Sequence, residues 1–134
     1  MDRAEVACRR IAEGLALLRE DARALEAFQL ANATIAASMR QRWTHDDPEN
    51  RRPEAAPTPE WRPFQLAFIL MNLTGLTRPT HKDRAFVDLL FFPTGGGKTE
   101  AYLGLAAYTM LLRRLQHRGR SGAGLSVQIG RAHV

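Results

Sequence analysis

The chain has 134 residues, 45% of them apolar and 25% charged, with a net charge of +5 at neutral pH. That is room for one small domain with an ordinary globular core, and a single cysteine, Cys8, excludes an internal disulfide or a zinc site built from cysteines. The charged N-terminus lacks the apolar stretch of a signal peptide, and the apolar runs 66–71 and 85–93 are too short or too interrupted to span a bilayer, so the chain reads as cytoplasmic with no membrane partner.

Residues 3–42 read as helix, with Ala4, Ala7, Ile11, Leu15, Leu18, Ala22, Leu25, Phe28, Ile35 and Met39 recurring at three- and four-residue steps. Asp21 can cap a second helix after a break near Glu20. Cys8 reads as a small buried hydrophobe on the first of these helices. Asn32 and Gln29 interrupt the apolar stripe, which favours helices packing on their own domain over a coiled coil. From Thr44 to Glu60 the pattern collapses into a linker with Pro48, Pro53, Pro57 and Pro59 among charged residues. His45 stands beside Asp46 and Asp47 there, but no matching ligand cluster accompanies it, so a solvated loop is the reading.

Trp61 to Leu73 resumes a helix, with Pro63 tolerated in its first turn. Residues 75–84 are loop. Ala85–Phe92 reads as a strand whose near-continuous apolar content suits burial on both faces of a parallel sheet. A helix follows from Lys98 to about His117, apolar nearly all round between Ala101 and Leu112, and Leu125–Gln128 reads as the start of a second strand. Basic residues Arg113, Arg114, Arg118 and Arg120 gather where that helix ends, where cations complement the helix dipole.

Between the expected strand and helix stands Pro93-Thr94-Gly95-Gly96-Gly97-Lys98-Thr99. A triphosphate carries dense negative charge that backbone N–H groups can approach only where side chains are absent, as at Gly95, Gly96 and Gly97. A helix N-terminus adds free donors and partial positive charge. Thr94 belongs to the same loop, Lys98 would reach the outer phosphates, and the Thr99 hydroxyl would ligate Mg²⁺; Lys98 and Thr99 are thus the candidate catalytic pair, with ATP and Mg²⁺ as cofactors. The full pattern G-x-x-x-x-G-K-[ST] is not met, because Phe92 takes its first glycine position.

That departure has a direction. Pro93–Thr99 resembles motif I of superfamily 2 helicases, which commonly reads P-T-G-x-G-K-T. Upstream, Arg62-Pro63-Phe64-Gln65 resembles the Q-type motif of such enzymes, in which the Gln65 amide would read adenine. The longer stretches Arg62–Phe68 and Val87–Leu105, with Leu25–Asn32 ahead of them, resemble the helicase of bacterial DISARM anti-phage systems over about residues 10–125. The resemblance implies an ATP-dependent DNA helicase or translocase with defence-system subunits as partners, nucleic acid being DNA rather than RNA.

The expected architecture is therefore α/β: an N-terminal helical region (1–43), a Pro-rich linker (44–60) and the beginning of a RecA-like P-loop NTPase domain (61–128). Residues 129–134, Ile-Gly-Arg-Ala-His-Val, resemble the conceptual translation of a common sequencing adapter and read as a non-native tail. No D-E-x-H acid follows the loop, so this truncated piece would bind nucleotide but hardly hydrolyse it. Two alternatives stay open: a P-loop NTPase that moves no nucleic acid, and a non-enzymatic helical interaction module acting through residues 3–42.

Overall fold

The computed structural model describes residues 2–91, 93 and 95–117. Four α-helices carry the fold: α1 Arg3–Glu20, α2 Ala22–Asp46, α3 Pro63–Thr77 and α4 Lys98–Gln116. Short 3-10 turns at Pro53–Ala55 and Lys82–Ala85 punctuate the connections. The helices form a ring in which α1 packs on α2 and α3, and α4 packs on α2 and α3.

Local chemistry explains the boundaries. Asp21 separates α1 from α2, its Oδ1 accepting from the backbone N–H groups of Arg23 and Ala24 at 3.0 Å each, which satisfies donors the new helix would leave open. Glu5 reaches back to the Asp2 N–H at 3.0 Å. Pro63 opens α3, where its missing N–H costs nothing.

One core draws on all four helices. Leu17 and Leu18 of α1, Ala24, Ala27 and Ala31 of α2, Ile69, Leu70 and Leu73 of α3, and Ala107, Tyr108 and Leu112 of α4 are buried together. Alanines spaced three and four apart let α2 lie close against α4, while Leu25 and Leu30 face outward. Gly14 does the same for α1, since a Cβ there would collide with the Leu70 carbonyl oxygen. Thr77 Oγ1 donates its one proton to the Leu73 carbonyl at 2.7 Å, so the Tyr108 hydroxyl, 2.6 Å away, donates to Thr77. Asn32, polar within the apolar stripe, accepts the Trp61 indole N–H at 2.9 Å.

The α/β expectation is overturned. Among the described residues there is no strand and no sheet, and so no RecA-like core. Residues 86–91 run outside any helix, as an apolar stretch would in a strand, but a strand exists only where a neighbour completes its hydrogen-bond ladder. Instead Val87, Leu89 and Phe91 are 95%, 78% and 90% exposed. The cover expected for α4 from a sheet comes from α2 and α3. Phe92, Thr94 and the expected strand at 125–128 and tail at 129–134 lie outside the described residues. Cys8, expected inside, is exposed.

Candidate nucleotide site

The glycine loop enters α4 directly. Gly95 and Gly97 adopt φ of +83° and +94°, a region that glycine reaches without the Cβ penalty other residues meet. Gly96 N–H donates to the Pro93 carbonyl at 3.0 Å, closing the turn. Gly97 is the N-cap residue of α4, and the Gln65 amide fills the space a Cβ there would take. Lys98 and Thr99 are the first two residues of the helix, Lys98 half-buried and Thr99 exposed. Glu100 follows them and pairs with Arg42 of α2 at 3.4 Å.

Gln65 lies behind the loop. It is only 5% exposed; its Oε1 accepts the Arg62 N–H at 2.8 Å and its Nε2 donates to the Gly97 carbonyl at 2.8 Å. Arg62 adds a guanidinium hydrogen bond to the Gly96 carbonyl at 3.0 Å. The structure thus brings Gln65, Gly95, Gly96, Gly97, Lys98 and Thr99 together, with Arg62, which sequence reasoning placed in the motif but gave no role. Thr94 is outside the described residues. A hollow of about 320 Å³ between α2 and residues 58–61 is lined by none of these loop residues.

A second group of side chains anchors the approach to the loop. Arg10 of α1, 5% exposed, grips Asp88 with two hydrogen bonds of 2.6 and 2.8 Å, and its guanidinium carbon lies 5.8 Å from the Phe86 ring centroid. Arg9 binds both oxygens of Asp83 at 3.1 and 3.2 Å and Glu13 at 2.7 Å. Burial alone would raise the Asp83 pKa, but the Arg9 hydrogen bonds and the charges of Arg9, His81 and Arg10 hold it below the ordinary value. Both arginines are held protonated, Arg9 chiefly by its bonds to Asp83 and Arg10 chiefly by Asp88. Glu13, His81 and Asp83 lie close enough to suggest a metal, but Arg9 already pairs with both carboxylates and Arg10 lies 3.7 Å from Asp83, so the group is an ion-pair network. Sequence reasoning missed it; the one signal was the lone acid, Asp88, inside an apolar run.

The site is therefore a glycine turn at a helix N-terminus, held from behind by another helix. Over 115 residues, 79% of this chain, the sequence is 46% identical to the DISARM protein DrmA of Bacillus paralicheniformis, and the chain is related to that DISARM-system protein. It spans about 10% of the length of that relative. No protein-family model matches the chain, and no solved structure matches it. Among the described residues, no helix is long and apolar enough to cross a membrane.

Proposed function

We propose that this chain carries the triphosphate-binding part of an ATP-driven DNA helicase or translocase that works in phage defence with other subunits. The observation that carries the nucleotide reading is the pair of positive-φ glycines, Gly95 and Gly97, leading straight into the first turn of a 19-residue helix that begins Lys98-Thr99. Such a helix start offers N–H donors and partial positive charge to an anion, and a Cβ at Gly95 would meet nothing within 4 Å, so that side of the loop is open. The donor set suits ATP with Mg²⁺: backbone amides and the Lys98 ammonium would hold phosphate oxygens, and the Thr99 hydroxyl would be a ligand to the metal. Bound Mg²⁺ would supply positive charge to offset the negative charge of the phosphates. The defence role and the DNA substrate are supported by the kinship to a DISARM protein and by the likeness of Pro93–Thr99 to helicase motif I; the motor activity belongs to a whole protein of which this chain matches a small part.

Calorimetric titration with ATP and Mg²⁺ tests the reading. Lys98→Ala removes a charge-assisted contact worth about 1.5–3 kcal/mol, which weakens binding by at least about tenfold. Thr99→Ala weakens binding with Mg²⁺ present and leaves it unchanged in excess chelator. Equal affinity of the wild type and Lys98→Ala would reject the phosphate grip.

A further inference from the structure

The first turn of α3 holds the glycine loop by its carbonyls. Gln65 Nε2 donates to the Gly97 oxygen at 2.8 Å and Arg62 Nη1 to the Gly96 oxygen at 3.0 Å, so two consecutive peptide carbonyls are drawn toward α3. The peptide bonds are trans, and in a trans peptide plane the N–H points opposite to the C=O. Drawing the Gly96 carbonyl toward α3 therefore turns the Gly97 N–H away from it. The Gly97 carbonyl, which also accepts the Ala101 N–H at 3.5 Å as the first acceptor of α4, is held the same way, and the Lys98 N–H is turned out. Both donors then face away from α3, as an incoming anion at the start of α4 requires.

The holding group is itself fixed. Gln65 is buried, and its Oε1 is tied to the Arg62 N–H at 2.8 Å, so each end of the amide is engaged by backbone. The fit to the loop is close: a Cβ at Gly97 would stand 2.5 Å from Gln65 Nε2. We infer that Gln65 and Arg62 are positioning residues, a latch that presets the loop's outward N–H donors, so that Gln65 serves every triphosphate alike and does not select the base. The ligand half of this inference rests on the phosphate reading above; the loop geometry does not.

The test uses the full chain with Gln65→Leu, which deletes both amide bonds, and Arg62→Ala at an exposed position, which leaves the helix intact should the buried variant fail to fold. The first readout needs no ligand: heteronuclear ¹⁵N NOE values of the Gly95, Gly96 and Gly97 amides. They fall in both variants, with Arg62→Lys recovering part of the loss and Glu54→Ala, at an exposed residue of the turn Pro53–Ala55, changing nothing. The second readout is binding of ATP, GTP and inorganic tripolyphosphate. Gln65→Leu weakens all three by one common factor of about three to ten, the worth of one hydrogen bond. Loss for ATP alone, with GTP and tripolyphosphate unchanged, would overturn the latch in favour of adenine reading by Gln65. Glycine amides identical to wild type in both variants would overturn it as well. A wild type that binds none of the three, with the NOE values still falling in the variants, would reject the phosphate reading and leave the latch standing.

Discussion

Replacing Gly97 by alanine strikes the point where loop backbone and latch meet. At φ +94° a residue with a Cβ loses about 1–2 kcal/mol relative to right-handed backbone. The new Cβ also stands 2.5 Å from Gln65 Nε2 and 3.5 Å from its Cδ. Gln65 is buried and engaged at both amide ends, so it yields only by releasing the Gly97 carbonyl, a further loss of about 1 kcal/mol. The sum is about 2–3 kcal/mol. Gly95 is the internal control: its φ is +83°, yet a Cβ there meets nothing within 4 Å, so Gly95→Ala carries the backbone cost alone. Equilibrium urea unfolding followed by circular dichroism compares the two. Gly97→Ala exceeds Gly95→Ala by about 1 kcal/mol, and the excess disappears when both are placed in a Gln65→Ala background. Equal losses in the wild-type background would refute the reasoning, because the close contact with Gln65 is found at Gly97 and not at Gly95.

Arg10→Ala removes a guanidinium that is 5% exposed and bound twice by Asp88; breaking a buried pair costs about 3–5 kcal/mol, and the 20% exposure of the Asp88 side chain brings the expectation to about 2–3 kcal/mol in urea unfolding. Tyr108→Phe costs about 1 kcal/mol for the lost bond to Thr77. Burial raises the Tyr108 pKa above 10.0, so the folded chain keeps a proton that the unfolded chain releases; stability declines as pH rises beyond about 10, and a stability–pH profile of Tyr108→Phe lacks that decline. Asp83 has the opposite sense: its folded pKa lies below 3.8, its contribution is present above that value and is lost as pH falls through the folded one, and Arg9→Gln flattens the acid limb measured from about pH 5 down to 2. Leu89→Lys, at a side chain 78% exposed in an unpaired apolar segment, raises the soluble concentration in sedimentation assays without lowering the unfolding midpoint.

Some of this was readable in the residues and some was not, for physical reasons. The break at Asp21 was readable because a capping carboxylate acts on donors two and three positions on, within sight of the local sequence. The buried face beyond it departs from the apolar stripe. An unbroken stripe puts Leu15 and Leu25 inside, yet they are 42% and 38% exposed, while Ala24, Ala27 and Ala31 are at most 3% exposed. A cap resets the phase of the helix, and close approach of α4 selects small side chains over large ones. The strand at 85–92 was read from apolar content, which reports a tendency to be buried but not a partner for the ladder. Asp88 within that run was the contrary sign, and its explanation, Arg10, lies 78 residues away. In the site, the glycines and Lys98-Thr99 were visible as a pattern. The hydrogen bond from Gln65 to the loop is not visible there, since its acceptor is a backbone carbonyl 32 positions downstream, and backbone groups are the same at every residue.

These distances bear on what holds the loop in shape. A phosphate-binding loop needs both flanks fixed, or the entropy of ordering it falls on the ligand. Downstream, the fix is the start of α4 with the carbonyls of Gly96 and Gly97 held by Arg62 and Gln65. Upstream, a sheet strand was the expected fix, and none is present among the described residues. The ion pairs of α1 take that place: Arg9 on Asp83 and Arg10 on Asp88 fasten residues 83–88 to the helix that itself packs on α3. Both clamps therefore refer back to α3: the glycine carbonyls directly, and residues 83–88 both through α1, which meets α3 at Gly14 and Leu70, and through the 2.8 Å hydrogen bond from the Arg84 guanidinium to the Gly75 carbonyl of α3. Side chains at the Gly14–Leu70 contact therefore bear on the flanks of the loop without touching it, which ties fold stability and loop geometry to a site far from the glycines in sequence.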